Sequence, residues 1–202
     1  IGDITSIESS FGFDMGKTIP DHRLFNKDLA GGGILDVGLY PICFSRLVAG
    51  AASNDKFLEP EFLNADAKIG DTGVDEIAHA NIKFKNGIEA KVSTAIRESM
   101  KNNAIIRGTN GSIELPDPWM PGRDGGPYHA QIIITKNNEE EIIDVKGPEH
   151  LFFFEAELAS QSIAKEKVQA PHPAMSWDDT LGNLKALDQW RDRVNYKLPQ
   201  DE

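Results

Sequence analysis

Residues 78–92 alternate apolar and polar side chains on both sides of Asn86-Gly87, and that pattern dictates an antiparallel hairpin with one buried face. Ala78, Ala80, Ile82, Phe84, Ile88, Ala90 and Val92 fall on one side, and His79, Asn81, Lys83, Glu89, Lys91 and Ser93 on the other. A two-residue Asn-Gly loop would set Phe84 against Glu89 and Lys85 against Ile88. A three-residue Lys85-Asn86-Gly87 loop sets Phe84 against Ile88, Ile82 against Ala90 and Lys83 against Glu89. The second register matches apolar with apolar and acid with base, and it puts Gly87 in the left-handed region.

The rest of the chain is read against that hairpin. Residues 4–13 alternate as well, with Ile7, Ser9, Phe11 and Phe13 on one face, which predicts another half-buried strand. Further strands are expected around turns at Asn110-Gly111 and at the acidic segment Asn137–Glu141, pairing Ile132–Thr135 with Ile142–Val145. Residues 116–129 hold four prolines and three glycines and read as a long loop. After Gly31-Gly32-Gly33, Ile34 to Ala49 reads as an apolar helix closed by Gly50, starting late or kinked at Pro41. Residues 149–165 and 177–195 read as helices. The second has Ser176 as N-cap, Asp178 and Asp179 in its first turn, and a stripe of Leu181, Leu184, Leu187 and Trp190 or Val194. The fold class that follows is α+β: an open, mostly antiparallel sheet with helices on one face, one domain over residues 1–202.

Composition removes several functions. The 202 residues carry 21 Lys and Arg against 32 Asp and Glu, a formal charge of −11, with no basic stripe. Nucleic acid and anionic membranes are therefore not expected partners. No apolar run approaches the roughly 20 residues that span a bilayer, and no signal peptide pattern opens the chain. The single cysteine, Cys43, excludes an internal disulfide and reads as a small buried hydrophobe. The five histidines lack metal-ligand spacing, so no metal site is expected. Asn110-Gly111-Ser112 has the form of a glycosylation sequon but reads as a turn. The expected location is the cytoplasm. The first residue is Ile1, so the sequence reads as a piece of something longer.

Two glycine-containing stretches imitate nucleotide motifs. Gly12 to Thr18 has three residues between its glycines where a phosphate-binding loop needs four, and Pro20 blocks the helix that should follow. Gly31-Gly32-Gly33 fails as a dinucleotide fingerprint because Asp36 stands where its last glycine would fall. No Rossmann domain is present in this chain.

The segment Gly31-Gly32-Gly33-Ile34-Leu35-Asp36-Val37-Gly38-Leu39-Tyr40-Pro41 carries the chemistry. Asp36 is the only charge between Asp28 and Arg46, and Tyr40 lies four residues on, on the same helical face. An acid beside a phenol could transfer a proton to or from an oxygen. On the residues alone, the plainer reading is that Asp36 caps the helix while Tyr40 packs with a satisfied hydroxyl.

This segment resembles the substrate-domain motif of the glucose-fructose oxidoreductase / inositol dehydrogenase / rhizopine-catabolism (Gfo/Idh/MocA) family, in which a glycine run is followed by D-x-G-x-Y/H. The opening Ile1-Gly2-Asp3-Ile4, His22-Arg23-Leu24-Phe25, Arg107 to Pro116 and the Trp177 to Arg191 helix are similar too, so the resemblance covers nearly the whole chain. It implies a domain like the C-terminal one of glyceraldehyde-3-phosphate dehydrogenase, with Asp36 and Tyr40 as catalytic acid/base pair and Arg23 as a substrate-binding residue. Tyr40, where many members have His, places the chain nearer the glucose-fructose oxidoreductase and dihydrodiol dehydrogenase branches. NAD or NADP would be bound mainly by an N-terminal Rossmann domain that also carries a Glu-Lys-Pro lysine. Both are missing here, so this chain alone is expected to be inactive and to bind no cofactor. The implied substrate is a sugar, polyol or related carbinol or carbonyl compound. The implied assembly is a homo-oligomer through the open sheet face. The alternative is a non-catalytic sugar-binding or dimerisation module that retains the fold.

Overall fold

In a computed structural model, residues 1–122 and 128–201 are described. Eight strands form one sheet: β1 (Ile4–Gly12), β2 (Pro60–Ile69), β3 (Asp75–Phe84), β4 (Glu89–Ala95), β5 (Asn103–Gly108), β6 (Gly111–Pro116), β7 (Tyr128–Lys136) and β8 (Glu139–Gly147). The helices are α1 (Gly33–Asp36), α2 (Leu39–Ala51), α3 (Leu151–Ala164) and α4 (Trp177–Arg193). Strand order is β2-β3-β4-β1-β5-β6-β7-β8. β1 and β4 run parallel, and the other neighbouring pairs are antiparallel. The fold is therefore α+β with an open, mostly antiparallel sheet.

The hairpin register is the three-residue one. Ile82 stands opposite Ala90 and Lys83 opposite Glu89, the Phe84 N–H donates to the Ile88 carbonyl, and Gly87 has φ +88°. The apolar row of β3 and β4 joins Ile7 of β1 and packs against Ile34, Ile42 and Ala49 of α1 and α2 and Ala186, Leu187 and Trp190 of α4. On the opposite face His79 bonds Ser93 and Asn81 bonds Asn64. No single helix among the described residues is long and apolar enough to cross a membrane.

Four element boundaries differ from the sequence expectation, each for a local reason. The helix after the glycines is broken at Val37-Gly38 into α1 and α2, and Pro41 sits in the first turn of α2, where its missing N–H is not needed. α2 runs through Gly50 to Ala51; Gly50 is small because a Cβ there would lie 2.4 Å from the Lys56 carbonyl oxygen. The turn in the β7–β8 hairpin is Asn137-Asn138 alone, both at positive φ, so Glu139–Glu141 lie in the edge strand instead. The loop expected over 116–129 is shorter at both ends, since Pro116 closes β6 and Tyr128 opens β7; residues 123–127 lie outside the described residues.

The α4 stripe is also corrected. Ser176 caps the helix in a reciprocal box with Asp179, as its spacing indicates, but Leu181 and Leu184 are about half exposed. Gly182, Asn183, Ala186, Leu187 and Trp190 face inward. The cause is Arg46, whose buried guanidinium needs the space that a Gly182 side chain would fill: a Cβ there would be 2.1 Å from Nη2. Arg46 donates to Glu59 (2.7 Å), to the Asp179 carbonyl (3.0 Å) and to Asn183 (3.4 Å), tying α2 to β2 and α4. Arg46→Ala is expected to cost about 3 kcal/mol, from lost charge-assisted hydrogen bonds and packing, and Arg46→Lys to restore only part of it. A urea melt checks this; a midpoint shift worth less than about 1 kcal/mol would deny Arg46 that role.

Candidate active site

The site begins with the glycine run. Gly32 has φ +102° and ψ 162°, a region essentially open only to glycine, and a Cβ there would stand 2.1 Å from Asp75 Oδ1. Asp75, fully buried at the start of β3, accepts from the Ile34 N–H at 2.7 Å through Oδ2. It thereby satisfies a free donor at the start of α1. Burial raises its carboxyl to about 7, against the downward pull of the backbone N–H groups it accepts from and of Arg191. The Tyr196 hydroxyl donates to the Gly31 carbonyl (2.7 Å), and Thr94 donates to that of Gly33 (3.0 Å). The turn that presents Asp36 is thus anchored from β3, β4 and the chain's C-terminal segment.

Asp36 is the last residue of α1, and Tyr40 is the second of α2. They do not share one continuous helix, which corrects the reading of a single helical face. Asp36 is not the helix cap either: Asp75 bonds the start of α1, and Gly38 stands at the α2 N-cap with no side-chain bond. The bend still turns both side chains into one cleft of about 720 Å³, which Arg23, Phe11, Asn102 and Asp117 also line. Arg23 Nη1 donates to Asp36 Oδ1; the Asp36 side chain is 14% exposed and that of Arg23 66%.

Tyr40 is 39% exposed. Its ring meets Phe11 edge-on at 5.3 Å and Trp119 at 6.1 Å. Trp119 stacks on Phe11 at 6.0 Å, meets Phe44 at 5.9 Å, and donates its indole N–H to the Ser10 carbonyl at 2.8 Å. The ring is held between these aromatics while the residue lines the cleft. Burial, then the negative charges of Glu155 and Asp36, raise its pKa above the ordinary value. Within this chain Tyr40 thus holds its proton more firmly than a free phenol.

The sequence did not single out Asp75, Trp119 or Glu155. Asp75 acts across 41 residues of chain, which local spacing does not show. Trp119 is an aromatic in a proline- and glycine-rich loop, the one hint that the loop packs.

Neither glycine stretch has the geometry of a dinucleotide phosphate loop. Between Gly12 and Thr18, the Gly16 N–H donates to Asp14 Oδ1 (2.8 Å) and no helix follows. At Gly31-Gly32-Gly33, the N–H that could meet a phosphate is bonded to the Asp75 carboxylate. Cys43 is part-buried with Sγ 3.7 Å from Met175 Sδ, and burial pushes its thiol up, away from nucleophilic use. No group of three or more His, Cys, Asp or Glu suited to a metal occurs among the described residues.

Comparison with known proteins bears directly on this geometry. The GFO/IDH/MocA C-terminal domain matches residues 1–114. The trans-1,2-dihydrobenzene-1,2-diol dehydrogenase of Xenopus tropicalis is 34% identical over 91% of this chain and 53% of its own length. That of Mus musculus is 25% identical over 100% and 57%. Among solved structures, KijD10, a 3-ketoreductase from Actinomadura kijaniata in complex with NADP and TDP-benzene, superposes with a TM-score of 0.77 at 23% identity, covering 96% of this chain and 55% of that one. The aldose-aldose oxidoreductase from Caulobacter crescentus, complexed with glycerol, gives 0.77 at 20% identity over 96% and 54%. The structural likenesses show the same fold, and the chain spans little more than half the length of the relatives it matches. With the family's domain matched over more than half its residues and its D-x-G-x-Y segment lining the cleft, the chain belongs to the GFO/IDH/MocA family, as a C-terminal domain of that family.

Proposed function

We propose that this chain is the substrate-binding, catalytic half of an NAD(P)-dependent oxidoreductase acting on a carbinol or carbonyl carbon of a sugar, polyol or diol. The observation that carries the reading is the convergence of Asp36, Tyr40 and Arg23 on one open cleft walled by Phe11. The names of the relatives support the substrate class: a diol dehydrogenase, a ketoreductase and an aldose-aldose oxidoreductase. An exposed phenol held between aromatic rings is more than a bare sugar-binding or dimerisation module requires.

Tyr40 donates its phenolic proton to the substrate oxygen in the direction of carbonyl reduction. Asp36 holds the Arg23 guanidinium at the rim, where its remaining N–H groups and the side chains of Asn102 and Asp117 meet substrate hydroxyls. Phe11 and the Tyr40 ring offer the apolar face on which a sugar ring or aryl diol lies. A nicotinamide cofactor, when bound by the whole protein, would supply hydride-transfer chemistry at the carbinol or carbonyl carbon. Neither glycine stretch of this chain fits its phosphates, so its binding falls to another part of the whole protein. For diol oxidation Tyr40 must be the acceptor, and its raised pKa opposes that. A cation from the rest of the protein, for which the family's Glu-Lys-Pro lysine is the proposed source, would lower it.

Two measurements test this. Titration of the 202-residue chain with NADH and NADPH, followed by fluorescence, is expected to show no binding tighter than ~0.1 mM; tight one-to-one binding would overturn the domain assignment. The full-length protein encoded by the same reading frame is expected to interconvert NADP(H) or NAD(H) with an aldose, a ketose or a trans-diol. No turnover with any of the three, in a folded full-length protein, would favour the module. The open polar face of β3 and β4 is the proposed contact with a second copy. Light scattering is expected to report a dimer or larger.

A further inference from the structure

On the helical side lies a second cavity, of about 470 Å³, that shares no lining residue with the Asp36–Tyr40 cleft. Lys56, Lys165, Lys167 and His172 line it. One acid, Asp179, lines it with them. That balance inverts the character of a chain with 32 acids and 21 bases. The acid is moreover committed: its carboxylate accepts from the Ser176 N–H (3.0 Å) and hydroxyl. Against the burial that raises it, those bonds and the charges of Arg46 and Lys56 hold Asp179 below the ordinary carboxylate range.

The lysines have no structural employment that accounts for their convergence. Lysines near a helix C-terminus commonly offset its free carbonyls. At the end of α3, however, the backbone does that itself: the N–H groups of Lys165, Glu166 and Lys167 donate to Gln161, Ile163 and Ser162. Lys56 comes from a different segment, the connection between α2 and β2, more than a hundred residues earlier. None of the three ammonium groups is in an ion pair among the described residues. The start of α4 adds nothing needed here, because Gln169 accepts from the Trp177 N–H and Ser176 from that of Asp179.

Leu158, Ala170 and Pro171 add apolar surface to the lining, beside the polar Gln161, Ser162, Gln169 and Ser176. His172 is set in place by the Phe57 ring, edge-on at 5.8 Å, and Phe57 is itself covered by the Arg46 guanidinium at 5.3 Å. A cavity lined by three lysines outside any ion pair, together with apolar Leu158, Ala170 and Pro171, suits an anion with an apolar part. Its volume is too large for a bare phosphate and falls within the usual range for small-molecule sites. The geometry points to a second binding site, for a small phosphorylated metabolite, with its phosphate between Lys56, Lys165 and Lys167 and its organic part against Leu158 and Pro171.

The test uses the 202-residue chain and needs no turnover, so it is independent of the role given to Tyr40. Calorimetric titration with AMP, inorganic pyrophosphate and adenosine is expected to give one-to-one binding of AMP and pyrophosphate with Kd of ~0.1–1 mM, weakening as salt rises, and none of adenosine. AMP and pyrophosphate should compete. Lys165→Glu with Lys167→Glu should weaken both by at least about tenfold, as two charge-assisted contacts are replaced by repulsion. The milder Lys165→Gln/Lys167→Gln and Lys56→Gln proteins, checked by circular dichroism, give the same direction should the reversal disturb folding. Lys136→Glu, at the end of β7 and outside the cavity lining, should leave binding unchanged. No binding at ~10 mM AMP or pyrophosphate, or binding that the Lys56, Lys165 and Lys167 variants leave intact, would overturn the proposal.

Discussion

Tyr40→Phe in the full-length protein is expected to lower turnover about 10²–10⁴-fold while the fold and substrate affinity persist. The substitution removes one hydroxyl and keeps the ring between Phe11 and Trp119, so the aromatic contacts at 5.3 and 6.1 Å remain. A purely structural tyrosine would behave differently. Its hydroxyl would be worth about 1 kcal/mol of stability, and kcat would barely move. Asp36→Asn separates charge from shape. It frees Arg23 from its carboxylate partner and removes a negative charge that raises the Tyr40 pKa. Loss of that charge lowers the Tyr40 pKa, so the basic limb of the pH–rate profile should move to lower pH. The two substitutions should be non-additive, because both act on one proton transfer. A near-wild-type kcat for Tyr40→Phe would remove the catalytic assignment.

Gly32→Ala is expected to cost about 3–5 kcal/mol, near the top of the range for a single substitution. Two effects add. The backbone at φ +102° is strained for any L side chain, and the new methyl group would meet Asp75 Oδ1 at 2.1 Å. Asp75 cannot withdraw cheaply, because it is fully buried and holds the Ile34 N–H. The pH dependence of stability reports the same carboxyl. Its pKa rises from 3.8 to about 7 on folding, so between those values the native state binds more protons than the unfolded one. Asp75 therefore makes stability fall as pH rises from about 4 to 7, with no further change above. Glu114 and Asp201, whose carboxyls are held low by Lys101 and Arg191, act with the opposite sign at the acid end. The difference between wild-type and Asp75→Asn denaturation midpoints across pH 4–8 isolates the one group. A difference that stays constant across that range would refute the raised pKa.

Period-two patterning made the hairpin and β1 legible, because a one-residue slip at Phe84 or Ile7 would reverse the buried face. The Ser176 cap was legible for a similar reason, since its partner Asp179 is three residues away. What escaped depends on contacts distant in sequence. Asp36 and Tyr40 have helical spacing, and the expected break lay at Pro41 rather than at Val37-Gly38. The bend is possible because Gly38 lets the chain pass within 2.6 Å of where its Cβ would meet the Ile34 carbonyl. Likewise Leu181 and Leu184 look like core until Arg46 is known to occupy the space beside Gly182. The cleft residues Asp36, Tyr40 and Arg23 were named from sequence, whereas the anchors that hold them, Asp75 and Trp119, were not.

β1 lies between β4 and β5, so the first strand of this domain waits for two partners made much later in the chain. β4 is complete only at residue 95, and β5 only at residue 108. At about 5–20 residues per second, Ile7 and Phe11 wait roughly 5–20 s before both partners exist. The β3–β4 hairpin can close on a microsecond timescale and offers an edge for β1 to join in parallel, but only after some ninety residues. Elongation rate through this stretch, rather than hairpin formation, sets how long two core side chains stand open to association with other nascent chains.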